Sequence, residues 1–418
     1  MIKRLFFGVG TIILSLLVSL VIAELVLRFA YPRYEYAADA DYLESALRIW
    51  KRRPYEHKER GHPDTGRPHE VTHNNLALRH NRDISDNDLR QRINIGVFGD
   101  SFTENVRLPA AHGFVEIVDY LLNLRSDKFN VLNFGVDGYG PDQHYLYYRE
   151  WSRSHKLDHV IYILCSNDLG NLYDNKLFSL DSSGRLVRNS VTSTPFWTRF
   201  ASQLHVTYLI IDAKLRLTGT RGSAVERFVR AQNDSMRVDQ EIRKNESDPR
   251  LLHKLVSNPK AMRLETPERE LMKQSFALFG AVLDAWRREV ELAGGSFSVV
   301  LLPREGEHRF AGLLDGGYRT LDLYSVFRDL LPGYQFETIR FTNDGHWNEQ
   351  GNLLAGSTIF RFLERELGLG KLADEEVRKA LHLYYQAVGD GWFPDKRWTL
   401  ESPVEEAKSV GIRRRYVE

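Results

Sequence analysis

The chain has 418 residues, of which 42% are hydrophobic and 27% charged, so it can form one large globular domain with additions or two modest domains. Its 57 Lys and Arg residues nearly balance its 56 Asp and Glu residues, and this balance excludes a global electrostatic basis for binding nucleic acid. The single cysteine, Cys165, excludes an internal disulfide and a cysteine-based metal site, and its apolar neighbours predict a buried side chain.

An uncharged run opens the chain. Leu5 to Ala23 holds 19 residues without a charge, and Lys3 and Arg4 precede it. As a helix this run would be about 29 Å long, close to the roughly 30 Å hydrocarbon core of a bilayer. We therefore predict a signal-anchor transmembrane helix within residues 1–30, with the rest of the chain on the extracytoplasmic side. Val21-Ile22-Ala23 also fits the small-residue rule for signal peptides, which leaves cleavage after Ala23 as an alternative.

Residues 31–92 are polar and show little periodicity, which predicts a linker followed by an irregular or β-rich lead-in. Three histidines in this stretch, His62, His69 and His73, raise the question of a metal site. No second cluster of ligand residues at a recognisable spacing accompanies them, so solvated loop histidines are the favoured interpretation. We predict neither a metal nor a cofactor.

The first predicted strand of the globular part leads directly into a serine. The apolar run Ile93–Phe98 is followed by Gly99-Asp100-Ser101. Open α/β sheets keep their chemistry at the carboxyl ends of strands, and glycine allows the sharp turn that exposes the serine there. Ser101 is therefore a candidate nucleophile. The alternative is a serine that merely caps a turn or helix.

The elements that follow alternate between helix and strand. We predict a helix over 114–124, a strand over 129–134, a helix over 141–153 with an aromatic core face, and a strand over 159–165. The first of these strands ends in a loop with Gly135, Gly138 and Gly140, and the second ends in Ser166-Asn167-Asp168. This βαβαβ order predicts an α/β fold with a parallel sheet and helices on both faces.

Residues 170–265 break this rhythm and predict a helical insertion over the active-site side, with disorder in part of 220–250 as an equal alternative. The alternation then resumes. We predict a helix near 267–294, a strand over 296–302, a helix around 319–331, a short strand near 335–341, a helix over 348–367, and a C-terminal helix and tail over 369–418.

The loop before the 348–367 helix supplies the partners that a nucleophilic serine needs. It reads Asn343-Asp344-Gly345-His346-Trp347. Serine, histidine and aspartate are the nucleophile, general base and orienting acid of acyl-transfer enzymes. Residues i and i+2 of an extended loop project to the same side, so Asp344 can reach Nδ1 of His346. A turn at Asp344-Gly345 beside a surface His346 is the structural alternative.

Taken in order, these segments resemble the SGNH (GDSL-like) hydrolase superfamily over roughly residues 93–365. The resemblance implies a flavodoxin-like three-layer fold in a catalytic domain over 93–368. It makes Ser101 the nucleophile and His346 the base. It also implies an oxyanion hole formed by the backbone N–H groups of Ser101 and Gly138 and the side-chain amide of Asn167. The sequence does not decide whether Gly135, Gly138 or Gly140 supplies this N–H group.

Two positions depart from the family pattern. Ser166 stands where the family usually has glycine, which changes the local backbone but not the amide donor that follows it. The commonest family spacing, Asp-x-x-His, would place Asn343 in the aspartate position. The shorter Asp-x-His followed by Trp is similar to the branch that moves acetyl groups on exported polysaccharides. We therefore expect Asp344 to be the partner of His346.

The resulting prediction is a serine-dependent ester hydrolase or O-acyltransferase, with acetyl groups on envelope or exported glycans as the favoured substrates and no protein partner specified. The first alternative is a catalytically degenerate module that binds polysaccharide or a partner protein during export. The second is a phosphodiesterase, which would need a metal site that the sequence does not show.

Overall fold

The computed structural model describes residues 2–30, 43–44, 49–124, 127–165, 167–189, 266–302, 314, 317–330 and 336–388. The chain divides into two compact units, Met1–Leu43 with Ser190–Gln232, and Glu44–Asn189 with Asn233–Glu418. The described part of the first unit is mainly helix α1 (Ile2–Ala30), at the position of the predicted anchor. Within the described ranges, no helix combines the length and hydropathy that crossing a membrane requires. Insertion of α1 into a membrane is not shown by the structure and stays a prediction.

Helices and strands alternate through most of the second unit. The strands among all described residues are β1 (Leu43–Glu44), β2 (Trp50–Lys51), β3 (His57–Gly61), β4 (Pro68–Thr72), β5 (Ile93–Phe98), β6 (Phe129–Asn133), β7 (His159–Leu164), β8 (Phe178–Leu180), β9 (Leu186–Arg188), β10 (Ser296–Leu301) and β11 (Arg319–Asp322). The helices after α1 are α2 (Asp86–Gln91), α3 (Ser101–Glu104), α4 (Phe114–Leu122), α5 (Pro141–Trp151), α6 (Asp168–Asn175), α7 (Thr266–Leu292), α8 (Leu323–Leu330), α9 (Glu349–Glu366) and α10 (Asp374–Val388).

A parallel five-stranded sheet forms the centre of this unit, in the order β6-β5-β7-β10-β11. Ile95 of β5 pairs with Val131 of β6 on one side and with His159 of β7 on the other. Numbered along the chain, this order is 2-1-3-4-5, the order of flavodoxin-like sheets, which bind ligands beyond the first and third strands. The prediction of an α/β fold with a parallel sheet is confirmed. Ser101 and Asn167 follow β5 and β7, the two strands at that switch point.

Each face of the sheet buries its own core, because successive residues of a strand point to opposite faces. Ile95 and Val97 belong to a buried apolar cluster that also contains residues of α4, α9 and α10. On the other face, Trp286 of α7 is fully buried. Its ring lies 5.1 Å from that of Phe98 and 5.5 Å from that of Tyr162. The aromatic residues of α5, predicted as a core face, pack on this side, where Tyr147 and Tyr148 are buried.

Two predicted elements near the end of the sheet were wrong. The segment predicted as one helix around 319–331 is strand β11 followed by helix α8. Leu321 lies three residues before Tyr324 and so continues the helical spacing of α8 back into the strand. An edge strand that is only half buried has no continuous apolar run to reveal it. The strand predicted near 335–341 is a 3₁₀ turn over Phe336–Ile339, followed by a single bridge between Arg340 and Trp347.

The lead-in before β5 contains regular secondary structure. Its hairpin β3–β4 is followed by α2, which begins with a capping box between Ser85 and Asp88. At the start of the predicted insertion, residues 170–189 form the rest of α6 and the hairpin β8–β9. The remainder of that insertion, 190–265, and the tail beyond 388 lie outside the described residues.

One glycine of the loop after β6 has no room for a side chain. A Cβ on Gly135 would lie 2.2 Å from the backbone nitrogen of Glu104 and 2.6 Å from the carbonyl carbon of Thr103. Gly135→Ala must therefore displace α3, and we expect it to lower the free energy of unfolding by at least about 1–3 kcal/mol. Gly280→Ala is the matched control, since nothing lies within 4 Å of a Cβ in the middle of α7. It should stabilise by about 0.5–1 kcal/mol. Urea unfolding of both variants measures the contrast.

Candidate active site

Ser101 is the first residue of α3, immediately after the turn that ends β5. Asp100 caps this helix, because its Oδ1 accepts a hydrogen bond of 3.1 Å from the backbone N–H of Phe102. A Cβ on Gly99 would lie 2.3 Å from Oγ1 of Thr103 and 2.9 Å from Cβ of Ile163, so only glycine fits this turn. The turn and the cap together fix the backbone that carries Ser101.

The structure brings together the three side chains that the sequence proposes as a triad. Ser101 Oγ lies 2.7 Å from Nε2 of His346, although the two residues are 245 positions apart. Nδ1 of His346 makes a short hydrogen bond with Oδ1 of Asp344. Asn343, the other candidate partner, instead donates its backbone N–H to Oδ1 of Asp64 at 3.0 Å. The arrangement therefore has the connectivity of nucleophile, base and orienting carboxylate.

Aromatic packing holds the loop that carries His346. Trp347 is buried, and its ring lies 5.3 Å from that of Phe102 and 5.7 Å from that of Phe114. The imidazole of His346 itself lies 4.7 Å from the ring of Phe102. Phe102, the residue after the proposed nucleophile, thus packs against both His346 and Trp347.

Both His346 and Arg107 contact the carboxylate of Asp344. Burial alone would raise its pKa, but the hydrogen bond and charge of His346 and the guanidinium of Arg107 lower the pKa to about 2. Nε of Arg107 lies 3.2 Å from Oδ2, the oxygen that His346 does not use. Asp344 is therefore ionised at every pH at which an esterase operates, as an orienting carboxylate must be.

The side-chain amide of Asn167 contacts the turn before Ser101. Its Nδ2 donates to Oδ2 of Asp100 at 3.1 Å. An amide nitrogen has two hydrogens, and among the described residues Nδ2 makes no second hydrogen bond. One hydrogen is thus available to a ligand beside Ser101.

The three glycines of the loop after β6 differ in what their N–H groups do. Gly135 donates to Oδ1 of Asn133 at 2.9 Å, and Gly140 donates to Oε1 of Gln143 at 3.1 Å. Gly138 has a left-handed backbone with φ of 76°, and nothing lies within 4 Å of the position of its missing Cβ. Because the other two amides are already used, the contacts favour Gly138 as the oxyanion donor.

Sequence reasoning missed a buried charge cluster beneath this loop. Glu104 is fully buried, and its Oε1 accepts 2.6 Å from Nε of Arg52 and lies 3.5 Å from Nε2 of His73. Its Oε2 accepts from the backbone N–H of Asp137 at 2.7 Å. Burial would raise the pKa of Glu104, yet His73 and Arg52 hold it far below its usual range. The prediction that His73 is a solvated loop residue was wrong, since it is only 4% exposed.

The tip of the lead-in hairpin contacts the loop of His346 directly. The carboxylate of Asp64 accepts the backbone N–H groups of Thr342 and Asn343, each at 3.0 Å. Beside it, Nε2 of His62 lies 3.2 Å from Oε1 of Glu349. No spacing in the sequence could indicate these contacts, because they join residues about 280 positions apart. Within the described ranges, His, Cys, Asp and Glu residues form no group of three that could hold a metal ion.

The buried Glu104 predicts that the protein loses stability in acid. Its folded-state pKa lies below the unfolded value of about 4.3, so its stabilisation is present above that pH and is lost as pH falls further. We expect Glu104→Gln to destabilise the protein by about 1–3 kcal/mol at pH 7, because the buried Arg52 keeps its contact with Glu56 but loses the charge of Glu104. The variant should also lose less stability than the native chain between pH 5 and about 3. Glu70→Gln, at a side chain that is 70% exposed, is the control and should change little. Denaturant unfolding at each pH measures both effects.

Comparisons with known proteins add little to this geometry. No protein-family model and no curated protein matches the sequence. Among solved structures, the chain is similar to a catalytic mutant of an acetylxylan esterase from Geobacillus stearothermophilus. The two chains have 14% sequence identity and a TM-score of 0.28. The match covers 66% of this chain and 94% of the esterase chain.

Proposed function

We propose that this protein is a serine-dependent ester hydrolase or O-acyltransferase of the SGNH type. The observation that carries the proposal is the hydrogen-bonded series Ser101–His346–Asp344 at the carboxyl end of a parallel sheet. Asp100 caps α3, so the hydroxyl of Ser101 has no capping role, and it contacts the imidazole of His346 at 2.7 Å instead. The buried supports of both loops, Trp347 and Glu104, hold the arrangement in place before a substrate arrives.

The reaction follows from the positions of these atoms. As Ser101 Oγ attacks the ester carbonyl, its proton passes to Nε2 of His346, while Asp344 stabilises the imidazolium through Nδ1–H. The N–H groups of Ser101 and Gly138 and the amide of Asn167 donate to the oxyanion. Collapse of the tetrahedral intermediate expels the alcohol, which takes the proton from His346. Water or a second hydroxyl, deprotonated by His346, then attacks the acyl-serine. The bond from the acyl carbon to Oγ breaks, Ser101 takes the proton back from His346, and the acid or the new ester leaves. The residues are the same in both cases, so hydrolysis and transfer share this site.

The amide of Asn167 gives a prediction specific to this mechanism. Asn167→Ala should lower kcat by about 10²–10³-fold with little change in KM, because the oxyanion exists only in the transition state. Asn87→Ala, at an exposed asparagine of α2, is the control and should keep the native kcat. Steady-state kinetics with p-nitrophenyl acetate separates the two. A change confined to KM would make Asn167 a substrate-binding residue.

For substrates, we propose acetyl esters on envelope or exported glycans, reached by a catalytic unit held outside the membrane by α1. The support is the Asp344-Gly345-His346-Trp347 sequence and the uncharged run of α1. Protease added to spheroplasts should then digest the catalytic unit, and the membrane fraction should retain the native N-terminus. A protected unit would contradict export, and a mature chain beginning at Glu24 would contradict anchoring.

The experiment that tests the activity is a comparison of products with the purified full-length chain. Incubation with an acetylated polysaccharide should release acetate, or should move acetyl groups to an unacetylated glycan supplied as acceptor. Ser101→Ala should do neither. Glycan binding without turnover, equal in the native chain and in Ser101→Ala, would instead identify a non-catalytic module.

A further inference from the structure

Arg107 joins two carboxylates that belong to different parts of the site. Its Nε lies 3.2 Å from Oδ2 of Asp344, and its Nη1 lies 3.3 Å from Oδ2 of Asp137. The Arg107 side chain is only 15% exposed. Because Oδ1 of Asp344 is taken by His346, the guanidinium holds the opposite edge of the same carboxylate.

Asp137 is the residue immediately before Gly138, whose N–H is the proposed oxyanion donor. The backbone N–H of Asp137 is held by Oε2 of the buried Glu104, and its side chain is held by Arg107. The loop of Gly138 is therefore fixed from two directions. Glu104 contacts the loop from the protein interior. Arg107 contacts it from the side of the site where Asp344 and His346 lie.

The backbone of Arg107 is itself fixed on both sides. The helix before it, α3, ends at Asn105 in a left-handed conformation. The carbonyl of Val106 lies 3.1 Å from Nε2 of His69, and the carbonyl of Leu108 accepts 2.8 Å from Nη2 of the buried Arg79. The lead-in thus anchors the two neighbours of Arg107, and its long side chain spans the gap between the two acidic loops.

We infer that Arg107 is a positioning residue, which sets the Asp344–His346 pair and the Asp137–Gly138 loop at a fixed separation around Ser101. This inference rests on the proposed function. A planar guanidinium offers several N–H groups in fixed directions and can bridge two carboxylates, whereas the compact ammonium of lysine has no such fork. The base and the oxyanion donor must act on one tetrahedral centre, so an error in their separation costs rate and not affinity.

The test is a set of variants assayed with p-nitrophenyl acetate. Arg107→Met should lower kcat by about 10²-fold and leave KM within about twofold, the scale expected for a misplacement of about 1 Å. Arg107→Lys should recover only a small part of this loss. Asp137→Asn should lower kcat by about tenfold, and the double variant should be no slower than Arg107→Met alone, because both changes break one bridge.

Controls separate this role from a structural or substrate-binding one. Arg149→Met removes a surface arginine that is 43% exposed beside Glu289 and should leave kcat within about twofold. Asp137→Asn acts at a side chain that is 37% exposed, so it tests the bridge even if Arg107→Met unfolds.

The inference is overturned if Arg107→Met keeps full kcat, if the loss appears in KM, or if Arg107→Lys restores the native rate. Additive effects of Arg107→Met and Asp137→Asn would overturn it as well. Failure of the proposed function is a different result, since the native chain would then show no turnover and no labelling at Ser101.

Discussion

Replacing Ser101 with alanine is expected to lower kcat for p-nitrophenyl acetate by about 10⁶-fold, the scale of loss when the serine of a hydrolytic triad is removed. The change deletes one hydroxyl, which contacts Nε2 of His346 at 2.7 Å, so the free energy of unfolding should change by no more than about 1–2 kcal/mol. Ser152→Ala, at an exposed serine at the end of α5, is the control and should keep the native rate. A Ser101→Ala variant that turns over at the native rate would contradict the assignment of the nucleophile.

Exchanging Asp344 for asparagine is expected to lower kcat by about 10⁴-fold. Asparagine is close to aspartate in shape, but its amide can present a donor to Nδ1 and favour the imidazole tautomer that cannot accept the proton of Ser101. The variant also removes the negative charge opposite Arg107. Because the pKa of Asp344 is lowered to about 2, protonation of this carboxylate should not limit the activity of the native enzyme in mildly acidic solution.

Asn343→Ala is the matched control for Asp344→Asn. Asn343 contacts Asp64 through its backbone N–H, which alanine retains, so kcat should fall by less than about tenfold. Steady-state kinetics of the two variants decides between the two spacings of the loop. A large loss in Asn343→Ala with a small one in Asp344→Asn would contradict the arrangement described here.

The sheet could be predicted where strands are buried on both faces. Residues 160–164 form a continuous apolar run, and Ile93–Phe98 is mostly apolar with Asn94 as its one polar residue, because helices cover both sides of the sheet. The edge strand β11 gave no such signal, because Leu321 alone is buried among its four residues. Its one apolar residue, Leu321, fits the spacing of the helix that follows, and only pairing with β10 decides the conformation.

The candidate site could be predicted only in part, for a related reason. Gly99-Asp100-Ser101 and Asp344-Gly345-His346 are local patterns, so a sequence can indicate them. Glu104 and Arg107 owe their roles to partners about 50 and 240 positions away. The sequence indicated only a linker and an irregular or β-rich lead-in, because the contacts of this segment are polar and scattered. Arg52, His73 and Arg79 are nevertheless buried, and they contact Glu104 and the carbonyl of Leu108.

The most direct test of the central claim is labelling of the active serine with a fluorophosphonate, followed by tryptic digestion and mass spectrometry. Cleavage after Arg92 and Arg107 releases the peptide Ile93–Arg107, in which Ser101 is the sole serine. Because only an activated serine reacts readily with this reagent, the native chain should carry one adduct, on this peptide. Loss of hydrolysis should match the extent of labelling, and Ser101→Ala should not react. An adduct on another serine, or ester hydrolysis that persists with Ser101 fully labelled, would contradict the account.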